Sequence, residues 1–150
     1  MCFEKVYGKV EECKQYSVYE LVNMEGIDII RDDDLTQGRK AKMMSHEGNT
    51  IIFLQEGLSD QEEENLLLHE LGHYYFDSGC SFVNKRMEEN NANLFMCLFL
   101  IKNDIWQSQY FQEYLMSLGI DHKITNQVND MIMQFKMTII YENSWLIKEI

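Results

Sequence analysis

Two histidines bracket a glutamate in the run His69-Glu70-Leu71-Gly72-His73. On an α-helix, residues four apart stand on one face. Both imidazoles can then reach a single cation. Zinc accepts neutral imidazole nitrogen at about 2.0–2.1 Å, and a catalytic zinc keeps one position for water. Glu70 follows His69 directly, so it flanks such an ion instead of binding it. From there it can take a proton from the metal-bound water. The competing reading is two surface histidines on a helix. The position of the run inside a well-capped amphipathic helix, after a strand-like segment, favours the metal.

Two imidazoles do not complete a catalytic zinc site, and a third protein ligand is needed. His46 and His122 lie in no ligand pattern and read as turn or surface residues. Glu89 is the better candidate, within Glu88-Glu89-Asn90-Asn91-Ala92-Asn93-Leu94-Phe95. Glu89 and Asn93 share a helix face. Asn93 can accept a hydrogen bond from a ligand histidine and so fix its tautomer. Ala92 leaves room for two helices to approach closely. Glu88 is the fallback ligand, and a solvated Glu88–Glu89 pair is the bland alternative.

These residues need helices to hold them. Ser59 and Glu62 form a capping-box pattern, S-x-x-E, ahead of an apolar run. Asp60, Glu62, Glu63 and Glu64 crowd the first turn, where the helix dipole favours negative charge. The spacing predicts a helix over Asp60–Phe76, ended by Asp77-Ser78-Gly79. After a loop to about Asn84, a second helix is predicted over Lys85–Ile101. Upstream, Val6, Val10, Cys13 and Tyr16 predict one helix from Glu4 to Met24. Three short strands follow: Ile27–Arg31, Lys40–Met44 and Thr50–Leu54. A turn at His46-Glu47-Gly48-Asn49 separates the last two. Two further helices are predicted near Asp104–Leu118 and Asn126–Glu142, parted by Gly119 and Asp121-His122-Lys123. The expected fold is α+β: a small, mostly antiparallel three-stranded sheet packed on the H-E-x-x-H helix, with a mainly helical C-terminal half.

The 150 residues predict one domain, 1–150, with a core of its own. Prolines number 0, which suits long helices and leaves no rigid linker. The formal net charge of −12 repels phosphate backbones and anionic membranes, so neither nucleic acid nor lipid is an expected partner. A basic protein would be attracted. The apolar run Ala92–Ile101 is too short to cross a bilayer. Met1-Cys2-Phe3-Glu4-Lys5 carries no apolar signal region. The 4 cysteines lack the spacing of a zinc knuckle or redox motif. Cys97 reads as a small buried hydrophobe. A reduced, cytoplasmic chain is the expectation.

The two motifs resemble those of the ImmA/IrrE family of metallopeptidases. That family has an H-E-L-G-H-type motif and, on the next helix, a segment like E-x-x-A-N-x-F-A. Here they correspond to His69-Glu70-Leu71-Gly72-His73 and to Glu89-Asn90-Asn91-Ala92-Asn93-Leu94-Phe95, with Met96 where alanine is frequent. Gly26-Ile27-Asp28-Ile29 and Ile51-Ile52-Phe53-Leu54 are similar to strands that precede the active-site helix. The likeness is best over about residues 20–101. Cys97-Leu98-Phe99-Leu100-Ile101 runs into Lys102-Asn103 without the family's usual proline, and the segment from Asp104 matches poorly.

The resemblance implies a thermolysin-like zinc centre with His69, His73 and Glu89 as ligands and Glu70 as base. It implies a zinc endopeptidase of phage or mobile-element type that cleaves a helix-turn-helix, DNA-binding repressor. The alternative is an anti-repressor that grips such a protein without cutting it. A structural zinc protein would need a fourth protein ligand. Tyr74 and Tyr75 are considered as oxyanion donors, with core packing favoured for both. Val128, Met131, Ile132, Phe135 and Ile139 recur at helical spacing with Met133 and Met137. Core packing is favoured there too, over an adaptable partner-binding face.

Overall fold

The computed structural model describes residues 2–77, 84–101 and 109–148. Among them are six helices and three strands: α1 (Cys2–Cys13), α2 (Val18–Met24), β1 (Asp28–Arg31), β2 (Ala41–His46), β3 (Asn49–Leu54), α3 (Asp60–Phe76), α4 (Lys85–Leu100), α5 (Phe111–Ser117) and α6 (His122–Lys148). The α+β class expected from the sequence is the one observed. The loop expected over 78–83 and the start of the helix expected from Asp104 lie outside the described residues, as do Lys102 and Asn103.

The expected Glu4–Met24 helix is two helices. Ser17 interrupts it, because its hydroxyl accepts from the Glu20 N–H at 3.1 Å while the Glu20 carboxylate accepts from the Ser17 N–H at 3.5 Å. That reciprocal pair is a capping box, which starts a helix and so ends the previous one. At Ser59 only half of the expected box forms. Ser59 accepts from the Glu62 N–H at 3.1 Å, but the Glu62 carboxylate turns to the Lys40 ammonium instead.

The sheet is mixed, with order β1-β3-β2. This corrects the mostly antiparallel expectation: β2 pairs antiparallel with β3, and β1 pairs parallel with it. The tight turn at Glu47 (φ 52°) and Gly48 (φ 79°) makes β2–β3 a hairpin. One edge of β3 is thereby taken, so β1 fills the other. The β1–β2 connection crosses the end of β3, where the Asp32 N–H donates to the Leu54 carbonyl at 2.9 Å and the Gln55 N–H donates to the Lys40 carbonyl at 2.9 Å. As the central strand, β3 buries Ile52, Phe53 and Leu54 in succession. A strand covered on both faces reads as a continuous apolar run, not an alternating one.

Helix α4 is buried almost all round, from Ala92 to Leu98. A helix apolar on every side belongs at the centre of its domain. Helices α1, α3 and α6 pack against it. Its Leu94, Phe95 and Leu98 join Leu67, Leu68 and Leu71 of α3, Phe3 and Val6 of α1, and Val128 and Ile132 of α6 in one core cluster. Cys13 and Cys97 are free, buried thiols, and burial pushes both pKa values up. Phe135 stacks on Phe3, 4.2 Å between centroids, which shows the inner face of α6 to be core. Among the described residues no helix is long and apolar enough to cross a membrane.

Candidate metal centre

The metal-ligand candidates are set by two helices that lie unusually close. A Cβ built on Gly72 would stand 2.6 Å from the Ala92 Cα and 3.0 Å from its carbonyl oxygen. No side chain fits there. The absence of one lets α3 and α4 touch backbone to backbone, and that contact brings Glu89 across to the histidines. Ala92 plays the part its size suggested. Gly72, a variable position in H-E-x-x-H, was passed over.

Within this contact three side chains converge. The Nε2 atoms of His69 and His73 are 3.2 Å apart. Glu89 places Oε1 2.8 Å from His73 Nε2 and Oε2 3.3 Å from His69 Nε2. A tetrahedron with arms of about 2.0–2.1 Å has edges of roughly 3.3–3.4 Å, so the two imidazole nitrogens sit close to the spacing of a pair of zinc ligands, with one carboxylate oxygen turned to each ring. Two neutral imidazole nitrogens cannot face one another at this range with both lone pairs bare. A proton or a cation must lie between them, and the carboxylate supplies balancing charge. Among the described residues His69, His73 and Glu89 form a group able to hold a metal ion. Glu88 is not in it. His46 stands exposed beside Glu47 at the β2–β3 turn, and His122 meets Asn126 at the start of α6. Both are peripheral to the site, as expected of turn and surface residues.

The imidazoles are held from behind. His73 Nδ1 lies 2.9 Å and 3.1 Å from the two carboxylate oxygens of Asp77. A carboxylate on the far nitrogen fixes the tautomer and ring orientation of a ligand histidine. From the sequence, Asp77 is expected only to end the helix. Its spacing of four from His73, the same offset that pairs the histidines, was the available signal. Asn93 is buried beside His69, and its carbonyl oxygen has no hydrogen bond of ordinary geometry. The hydrogen bond expected from a ligand histidine to Asn93 is therefore not formed here.

The charges follow from the packing. Burial alone would lower the His69 pKa, but the bond and charge of Glu89, with Glu70 and Asn93, outweigh it and raise the value. The hydrogen bond with His69, then the charges of both rings, holds Glu89 down at about 2. Glu70 goes the other way. Burial raises its pKa, and the neighbouring histidines only partly offset this. It makes no hydrogen bond among the described residues. Tyr74 and Tyr75 pack on the core, with Tyr75 donating to Glu25 at 3.2 Å, which agrees with the structural role favoured for them.

A family model described as the IrrE N-terminal-like domain, Peptidase M78, matches residues 23–117. The chain belongs to this family. The match covers more than half of the M78 chain and takes in all three strands, α3, α4 and α5. It leaves out α1 and α6. The domain is thus of a metallopeptidase family, and the paired histidines and Glu89 fall inside the matched segment. No match was found among curated proteins, and none among solved structures.

Proposed function

We propose that this M78 chain is a zinc-dependent endopeptidase, a single cytoplasmic domain over residues 1–150 with α3 and α4 as a thermolysin-like active-site pair. His69, His73 and Glu89 are its metal ligands, and Glu70 is its general base. The observation that carries this reading is the convergence of two imidazoles and one carboxylate from two helices, close enough together to hold one ion. Two imidazoles and one carboxylate are also the donor set of a catalytic zinc that keeps a place for water.

A zinc ion bound there supplies Lewis acidity, which acidifies a water molecule and polarises the scissile carbonyl. The proton work falls to Glu70. Its carboxylate takes the proton of the attacking water and delivers it to the leaving amine. A buried carboxylate with a raised pKa suits both halves of that exchange. Asp77 keeps the His73 ring in place.

The substrate in this reading is a specific protein, a helix-turn-helix DNA-binding repressor. Such proteins are basic where they meet DNA, and a chain of net charge −12 attracts a basic partner. The test co-incubates zinc-loaded protein with the repressor encoded beside it and compares wild type with Glu70→Gln by intact mass. Discrete fragments with wild type alone support the peptidase. An intact repressor in both samples refutes it and leaves the gripping anti-repressor as the reading to pursue.

A further inference from the structure

A cavity of about 620 Å³ opens on the candidate metal centre and shares His69 and Glu89 with it. Its size lies within the range of ordinary ligand pockets. Leu66, Met96, Ile120 and Ile124 give it apolar walls, and Arg86 and Lys123 stand on its rim. Neither of these cations has an ion-pair partner among the described residues. Their freedom contrasts with Lys40, on the same rim, whose ammonium is taken by Glu62.

The far wall of this cavity is a built element. Gly119, at φ 90°, ends α5 in a Schellman motif: the Gly119 N–H donates to the Met116 carbonyl at 3.0 Å and the Ile120 N–H to the Leu115 carbonyl at 3.2 Å. That fixes the direction of Ile120. Asp121 then accepts from the Lys123 N–H at 2.7 Å and sets the first turn of α6, which carries Lys123, Ile124 and Gln127. The wall is tied to the histidine helix by Asn65, one turn before His69. Its buried amide donates to the Leu118 carbonyl at 2.8 Å, and its oxygen accepts from Gln61 at 2.9 Å. The family match stops at residue 117, just short of this wall. The framework supplies one side of the cleft, and the chain's own segment 119–127 supplies the other.

We propose that this cleft selects the substrate: it takes a bulky apolar side chain next to the bond to be cut, and Arg86 and Lys123 pair with an acidic residue beside it. The proposal rests on the peptidase reading for the identity of the bond, and on the cleft itself for the preference. A mixed peptide library treated with the zinc-loaded full chain should give cuts flanked by large apolar residues with Asp or Glu within two positions. Reversing the rim with Arg86→Glu and Lys123→Glu, both exposed, should shift the preference from acidic to basic neighbours by about fivefold, the scale of exposed ion pairs. Filling the cleft with Ile124→Trp should abolish the preference for bulky residues while metal content is kept. Cuts with no such pattern, or a pattern that neither change moves, overturn the proposal and leave the peptidase intact. If wild type cuts nothing, the peptidase reading fails by itself. Binding to the Glu70→Gln protein then decides the cleft: an apolar–acidic peptide should bind about fivefold more tightly than its lysine-substituted counterpart, and equal binding in all variants overturns it.

Discussion

Helix α3 carries a buried carboxylate, Glu63, and a half-buried one, Glu70, and their surroundings could hardly differ more. Glu63, in the first turn, accepts from the Tyr19 hydroxyl at 2.9 Å and from the Arg31 guanidinium, Nε at 3.2 Å. It ties α2 and β1 to α3. The Arg31 hydrogen bonds dominate and hold its pKa below the usual carboxylate range, despite burial. Glu70, two turns on, has no such partners among the described residues, and burial pushes its pKa up. The same residue type on one helix is thus a strut at one end and a free proton acceptor at the other. Burial matched by donors makes structure. Burial left unmatched beside paired imidazoles leaves a group able to do chemistry.

The sharpest way to break this contrast is to make both carboxylates amides. Glu70→Gln should leave metal content and melting temperature close to wild type while peptide cleavage falls by roughly 10²–10⁴-fold, the usual worth of a positioned general base. Glu63→Gln should do the reverse, cutting at the wild-type rate in a less stable protein. Retained cleavage in Glu70→Gln, followed by intact mass, would sink the assignment of the base.

A steric change should come next. Gly72→Ala puts a methyl group into the Ala92 backbone, and something must shift. Overpacking of this kind costs roughly 1–3 kcal/mol. Because the shift parts α3 from α4, it should also withdraw Glu89 and weaken zinc binding. Calorimetry and a competitive chelator titration report the two effects separately. An unchanged metal affinity would mean that Glu89 does not depend on the close approach.

Asp77→Asn keeps the shape at His73 and removes the charge behind the ring. Partners of ligand histidines are worth about 10–100-fold in metal affinity or activity. A loss in that range, with an unaltered melting temperature for the metal-free protein, is expected from the same titration. No change in affinity would make Asp77 merely the end of a helix, which is how it looked in the sequence.

Asp77 marks the limit of what is legible in the sequence. Helix α3 was readable from Ser59 to Phe76 because its signals are local: a cap, an acidic first turn, an apolar run. The histidine pair was readable because helical spacing of four is a sequence property, and Glu89 because it opens the second motif on the next helix. The parallel β1–β3 pairing was not, since which edge of β3 remains open is settled by the β2–β3 turn and the path across its end. Ser17-Val18-Tyr19-Glu20 did announce the α1–α2 break, but the continuing apolar period masked it. Helix α6 starts at His122 and not near Asn126, because Asp121 caps it. Gly72 was illegible for a different reason. Its importance lies entirely in Ala92, which is far along the chain and only contacts it after folding.

The smallest expected effect concerns the other end of α3 and is read by pH. The folded-state pKa of Glu63 is depressed relative to the unfolded chain, so its pairing adds stability above the unfolded value, roughly 4.3, and loses it as pH falls through the folded value. Tyr19 acts at the opposite limit. Burial, then its bond to Glu63, pushes its pKa up to about 12. The folded state therefore holds a proton that the unfolded chain releases above about 10, and stability falls as pH rises from there toward 12. Denaturant melts of wild type should show both limbs. Glu63→Gln should flatten the acid limb at a cost in overall stability of no more than about 1 kcal/mol, because Arg31 and Tyr19 are about half exposed and the amide oxygen still accepts. Tyr19→Phe should flatten the alkaline limb and leave the acid one largely in place, because Arg31 remains. A Glu63→Gln protein with an unaltered acid limb would show that the strut at this end of α3 is not electrostatic, and the contrast with Glu70 would have to rest on hydrogen bonding alone.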